Sequence, residues 1–302
     1  TFFVRHVLDV RALDEPQEDM DGATRGSVLH RCLDLLHADL AEQLGDDATT
    51  SRATARAERI IPHLVERALG EAERLGKGDV PELREYRKAE LVETVLRSLA
   101  WEIAENEKTK YRSTPRRRPL RTEVVFGMAG TPPVTLHAGG RTLRLRGKID
   151  RVDELMDEPV RGQRYVVDHK TSGASLTPLR LYEEGAILQL PLYLHALERT
   201  EHRGEGVWGG AYQIAGAKCK QAAELHPSTL TSKGKVRRGE TKTEQEAASR
   251  IAGALDAAIM HVDGITGGVF PAATPACMGA CPSYCDARDV CREDNLGRRV
   301  RR

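Results

Sequence analysis

Thr142–Asp150 reads TLRLRGKID and Arg164–Lys170 reads RYVVDHK; the way these two stretches are laid down decides the rest of the chain. In the first, alternation sets Leu143, Leu145, Gly147 and Ile149 on one face of a strand and Arg144, Arg146, Lys148 and Asp150 on the other. In the second, Tyr165, Val167 and His169 share one face, while Val166, Asp168 and Lys170 share the opposite one. Asp168 and Lys170 then stand ~6.6 Å apart along the strand. If the two strands pair as a hairpin through a loop at 153–163, Asp150 and Asp168 converge near one point.

Two carboxylates meeting in this way supply hard oxygen ligands for Mg²⁺ or Mn²⁺, with a lysine beside the metal. Such a set suits hydrolysis of a phosphodiester: the cation polarises the phosphate and activates a water, and the ammonium offsets negative charge growing at phosphorus. The triplet alone has little specificity. An acid two places before a lysine occurs at both Asp168 and Glu240, and a surface ion pair at a strand end accounts for it equally well. Context separates the two, because Glu240 lies in a polar, turn-rich run whereas Asp168 closes a β-branched segment that follows another acid-terminated strand.

Working outward, TEVVF at 122–126 is a further short strand, preceded by YRSTPRRRPLR with five arginines within Arg112–Arg121. Ahead of it the chain is helical. Val28, Leu29, Cys32, Leu33, Leu36 and Leu40 form a helical stripe over Gly26–Leu40, and 51–76 and 80–107 read as two more amphipathic helices. Behind the central strands come LYEEGAILQLPLYLHALE, a helix despite Pro191, then the strand-like GVWGGAYQI, a basic loop and a helix over 243–263. The pattern predicts an α/β protein in three parts: a helical lobe over 1–111, a mixed sheet flanked by helices over 112–270, and a cysteine-rich tail over 271–302.

The 302 residues are 40% hydrophobic, enough for a real core, and 46 Lys+Arg against 45 Asp+Glu leave a net charge of +1, so any signal for nucleic acid has to be local. No apolar run approaches the roughly 20 residues of a membrane span, and no secretory signal is visible, so a soluble, cytoplasmic protein is expected. Residue 1 is Thr, which leaves room for the chain being a piece of a longer one. There is no GxxxxGK[ST] loop, hence no nucleotide-driven motor in this segment. Of six cysteines, Cys277, Cys281, Cys285 and Cys291 crowd near the C-terminus, a spacing that suits a metal or iron–sulfur cluster better than disulfides. Cys32 is expected in the core, and Cys219 has no assigned role.

Taken together, GSVLH (Gly26–His30), GKID (Gly147–Asp150), DHK (Asp168–Lys170) and QLPLY (Gln189–Tyr193), followed by GVFPA and the cysteines, resemble in order and spacing the PD-(D/E)XK nucleases of the RecB/AddB type. The resemblance covers nearly the whole chain. It implies a restriction-endonuclease-like fold and metal-dependent DNA cleavage, with His30, Asp150, Asp168 and the backbone carbonyl of His169 as metal ligands and Lys170 as the catalytic lysine. It also implies that Gln189 and Tyr193, an i, i+4 pair on one helical face, support the site and contact DNA. Glu123 is a further candidate acid, and Gly26 is expected to leave room for a close approach.

In the resembled family one upstream cysteine and three C-terminal ones hold a [4Fe-4S] cluster. Here the tail is Cys277-x3-Cys281-x3-Cys285-x5-Cys291 and no cysteine precedes Gly26. Either the missing ligand lies before Thr1, or Cys277 replaces it. Zinc is the less favoured occupant, because Cys₄ zinc sites usually come as two separated pairs. The resemblance also suggests a helicase, in the same chain or a companion one, as partner. Arg144, Arg146 and Lys148 beside Asp150 are the expected DNA contacts, with Arg112–Arg121, Lys233–Arg238 and the terminal RRVRR as further candidates for a phosphate channel. With 35 Arg against 11 Lys, solvated surface accounts for much of this enrichment. Two other readings stay open: a non-cleaving DNA-binding or scaffolding module of the same fold, and a zinc-stabilised protein with no nucleic-acid role.

Overall fold

A computed structural model describes residues 6–9, 19–108, 114–138, 140–171, 188–200, 206–216, 218–225 and 244–269. The cysteine run Cys277–Cys291, the stretch 233–238, the terminal RRVRR and both expected part boundaries lie outside these residues. The first helix, α1 (Gly22–Leu44), starts a turn earlier than its stripe predicts because the Asp21 carboxylate accepts from the amides of Ala23 and Thr24, each at 2.8 Å. It stops at Gly45, whose φ of 52° suits glycine. α2 (Arg52–Arg74) and α3 (Pro81–Glu107, with proline in the first turn) complete a helical lobe. Leu33, Leu36, Ile61, Val65, Val95 and Leu99 bury against one another there, each adding about 2 kcal/mol of transfer free energy. Cys32 is fully buried among them, as expected, and burial pushes its thiol up to about 12.

The strands follow as β1 (Arg117–Phe126), β2 (Val134–Ala138), β3 (Arg141–Leu145), β4 (Gly147–Leu155) and β5 (Arg164–Lys170). Then come α4 (Gln189–Thr200), β6 (Val207–Ile214), β7 (Lys220–Leu225) and α5 (Glu244–Thr266). Five strands form one mixed sheet in the order β1-β4-β5-β6-β7, in which β5 and β6 run parallel and the other neighbours antiparallel. This is the helix-flanked mixed sheet predicted. A second core, including Val152, Val166, Leu190, Leu194, Tyr212 and Ile214, joins the sheet to α4, with Ile251 of α5 packed against it.

Three expectations need correction. TLRLRGKID is not one strand: β3 pairs only with β2 in a separate two-stranded sheet, and the main sheet resumes at Gly147. The break has a steric cause. A Cβ at Gly147 would lie 2.7 Å from the Phe126 ring, and one at Gly127, which has φ 67°, would lie 2.7 Å from Arg146 Cβ, so the two strands leave the sheet together at closely packed glycines. The loop expected at 153–163 is shorter, because β4 continues to Leu155 with Arg151 and Asp153 buried rather than at the surface. Finally, three of the arginines within Arg112–Arg121 are engaged in ion pairs of the protein itself: Arg116 binds Asp157, Arg117 is buried against Asp153, and Arg118 pairs with Asp46 and Glu154, while Arg112 lies outside the described residues.

Candidate active site

β4 and β5 pair antiparallel in the register Arg151↔Val167, which leaves Asp150 and Asp168 as the next facing residues. The hairpin thus brings the two acids together as the alternation predicts. The Asp150 carboxylate accepts from the backbone amide of His169 at 2.9 Å and faces His30 Nδ1, carried in by α1, at 3.2 Å, both through Oδ2. Burial alone works to raise this carboxyl. The His30 imidazole and the hydrogen bond from the His169 backbone amide outweigh burial and hold Asp150 below the ordinary carboxylate range.

Asp168 has the opposite environment. It is 0% exposed, and burial together with the Asp150 charge pushes it up to about 6 against the pull of Lys170. Lys170 Nζ lies 2.5 Å from Asp168 Oδ2, while Asp168 Oδ1 is buried without a hydrogen-bond partner among the described residues. Lys170 Nζ also donates to Gln189 Oε1 at 2.9 Å and lies 5.3 Å from the centre of the Tyr212 ring. Gln189 in turn donates to the Tyr193 hydroxyl at 2.9 Å, so α4 delivers its i, i+4 pair to the lysine as its spacing implies. The helix is held there by the Leu190 amide, which donates to the Tyr212 hydroxyl at 3.2 Å. Burial pushes the Tyr193 phenol up to about 12, which keeps it protonated.

A groove of about 450 Å³ opens beside this cluster, lined by Gly26, Ser27 and His30 of α1 and by Glu123, Lys148 and Asp150 of the sheet. Glu123 stands near Asp150 across β1 and β4, has φ 52°, and forms an ion pair with Lys148. Of the expected DNA contacts, Arg144 and Lys148 are exposed and Arg146 is too, but only Lys148 lies on the strand that carries Asp150; Arg144 belongs to the β2–β3 arm and Arg146 to the break. Gly26 does not serve a tight contact: a Cβ there would meet Thr171 Cγ2 at an ordinary 3.8 Å.

His169 reaches the site through its backbone. Its ring is buried, stacked parallel to His37 at 5.9 Å and edge-on to His30 at 6.1 Å. Burial, then the nearby charge of Arg151, hold it neutral. Around it lies a polar cluster that sequence reasoning misses: His37, Glu102, Arg117, Arg151, Asp153 and Gln213, all buried. The available signal was Glu102 itself, an acid on the buried stripe formed by Val95, Ser98 and Leu99 of α3.

Among the described residues, no three His, Cys, Asp or Glu side chains close round one point as a finished metal cage. The donor set nevertheless fits a hard divalent cation: two carboxylates face each other, an imidazole joins one of them, and Asp168 Oδ1 is an orphaned buried oxygen that a cation would satisfy.

An acid-bearing strand antiparallel to an Asp-x-Lys strand, in a mixed sheet flanked by helices, defines the class as a restriction-endonuclease-like α/β fold. Residues 1–292 match the profile of the PD-(D/E)XK nuclease superfamily, and the chain belongs to that superfamily. It is similar to a subunit of an ATP-dependent helicase/deoxyribonuclease of Symbiobacterium thermophilum, 43% identical over 104 residues, or 33% of this chain and 8% of that protein. It is also similar to the like-named protein of Alkaliphilus metalliredigens, 33% identical over 114 residues, or 37% of this chain and again 8% of that protein. The matched stretches therefore span under a tenth of the length of these relatives. No helix among the described residues is long and apolar enough to cross a membrane.

Proposed function

We propose that this chain hydrolyses DNA phosphodiester bonds with a divalent cation, Mg²⁺ or Mn²⁺, as the nuclease part of a helicase–nuclease system that processes DNA for repair, recombination or defence. The carrying observation is the meeting of Asp150, Asp168, Lys170 and His30 at one end of the β4–β5 hairpin. Superfamily membership supports the nuclease reading, and the names of the two relatives support a helicase partner.

Asp150, Asp168, His30 and the backbone carbonyl of His169 would hold the cation, which when bound supplies Lewis-acid activation of the phosphate and of a water. Lys170, held between Asp168 and Gln189, directs its ammonium at the phosphate oxygens and offsets the charge that builds there. Gln189 fixes the lysine, and Tyr193, protonated throughout the working pH range, offers its hydroxyl to the DNA backbone. Arg144, Arg146 and Lys148 bind flanking phosphates. Cys277, Cys281, Cys285 and Cys291 hold a structural [4Fe-4S] cluster.

The test is cleavage of end-labelled linear and of circular DNA with Mg²⁺, by the intact chain and by Asp168→Ala and Lys170→Ala. Cutting is expected from the unaltered chain, with at least about a hundredfold loss in either variant, on the scale of losing one charge-stabilising group, while DNA binding in Ca²⁺ is retained. Uncut DNA in both Mg²⁺ and Mn²⁺, with binding intact, would assign the chain to the non-cleaving module instead. The same preparation should be brown, with absorbance near roughly 400 nm; its absence would leave the thiols to zinc.

A further inference from the structure

The polar cluster behind the acids does something the catalytic groups do not. Arg151 is 1% exposed and spans three elements: its Nη1 lies 3.0 Å from Glu102 Oε1 on α3 and 2.5 Å from His37 Nε2 on α1, and its Nη2 donates to Asp153 Oδ2 at 3.1 Å. Gln213 of β6 also donates to Glu102. Arginine has no acceptor, so the His37 nitrogen that faces it accepts. Breaking such a buried set leaves uncompensated charge, yet its net contribution to stability is often small, and fixing register is its best-attested use.

The register in question is that of α1. His37 and His30 are two turns apart on one helix, and the His169 ring lies beside both, its centre 5.9 Å from that of His37 and 6.1 Å from that of His30. Arg151 and His169 are also the chain neighbours of Asp150 and Asp168, and alternation turns them to the opposite side of the strands from the acids. The two strand positions that present the acids are thus followed at once by two that grip α1. One residue of slip along the helix moves its side chains by about 1.5 Å, enough to part His30 Nδ1 from Asp150.

We infer that His37, Glu102 and Arg151 are positioning residues that set α1 against β4 and β5 and so hold His30 beside Asp150. The inference rests on the reading that His30 and Asp150 take part in holding the cation. It is tested by Mn²⁺ titration calorimetry on the intact chain, without DNA, for Glu102→Gln, His37→Phe and His30→Ala, and for each of the first two combined with His30→Ala. Glu102→Gln and His37→Phe roughly keep volume and weaken or remove the contacts to Arg151. Each is expected to weaken Mn²⁺ binding about tenfold, the usual scale for groups supporting a metal ligand, and to add less than about twofold once His30 is already alanine.

An equal loss in the His30→Ala background, or no loss in a folded single variant, overturns the inference while leaving the nuclease reading intact. If both single variants unfold, the cluster serves stability alone and the inference also fails. Absence of Mn²⁺ binding by the unaltered chain removes the metal reading and this inference with it.

Discussion

Asp168 stores a cost that the folded protein bears only when the carboxyl is ionised. Burial and the Asp150 charge raise it to about 6, from an ordinary value of 3.8. As pH rises through 4 to 6 the unfolded chain releases this proton first, so the native state loses stability across that window, by about 2–3 kcal/mol in all. Asparagine carries no charge to desolvate. Asp168→Asn in EDTA should therefore melt at a higher temperature than the unaltered chain at pH 7, and the gap should close by pH 4. Adding Mn²⁺ at pH 7 should stabilise the unaltered chain and reverse the order, because only the carboxylate gains a partner. Melts that run parallel at both pH values would show that Asp168 is not a buried, desolvated acid.

At the scale of elements, the two glycines that end the main sheet control how far β1 and β4 run together. Gly147→Ala places a Cβ 2.7 Å from the Phe126 ring, and overpacking of this kind costs about 1–3 kcal/mol. Chemical denaturation should report that loss, and an unchanged midpoint would mean that the ring moves aside freely. Elements with a clean period were legible in the sequence. The α1 stripe, the Asp168–Lys170 alternation and the Gln189/Tyr193 spacing all stand where pattern puts them. What escaped has a physical reason in each case. The break at Arg146 depends on glycines meeting across two strands, which no single stretch reveals. β7, KQAAEL, pairs with β6 at the sheet edge and carries no apolar alternation to read. Arg151, Asp153 and Glu102 look like surface charges until folding joins them, Arg151 to Glu102 across 49 residues of chain.

Over the whole molecule, a net charge of +1 means that the proposed DNA binding has to draw on local positive charge near the site. Lys148 lines the groove, paired with Glu123, and Arg146 is exposed two residues before it, whereas Arg116 lies at the far end of the β1–β4 pair, bound to Asp157 at 2.8 Å. Lys148→Ala and Arg146→Ala should each reduce the slope of log affinity against log salt by about 1, and Arg116→Ala should leave it unchanged. Equal slopes for all three would place the DNA elsewhere. The residues that meet at the site are drawn from α1, β4, β5 and α4, so that His30 and Tyr193 bracket more than half the chain. Long-range assembly of this sort cannot begin early. On a translating ribosome the histidine emerges first and the glutamine–tyrosine pair last, at roughly 5–20 residues per second. On the proposed function, the nascent polypeptide is without cutting power for seconds after its first helix appears, which spares nearby nucleic acid from a half-built blade.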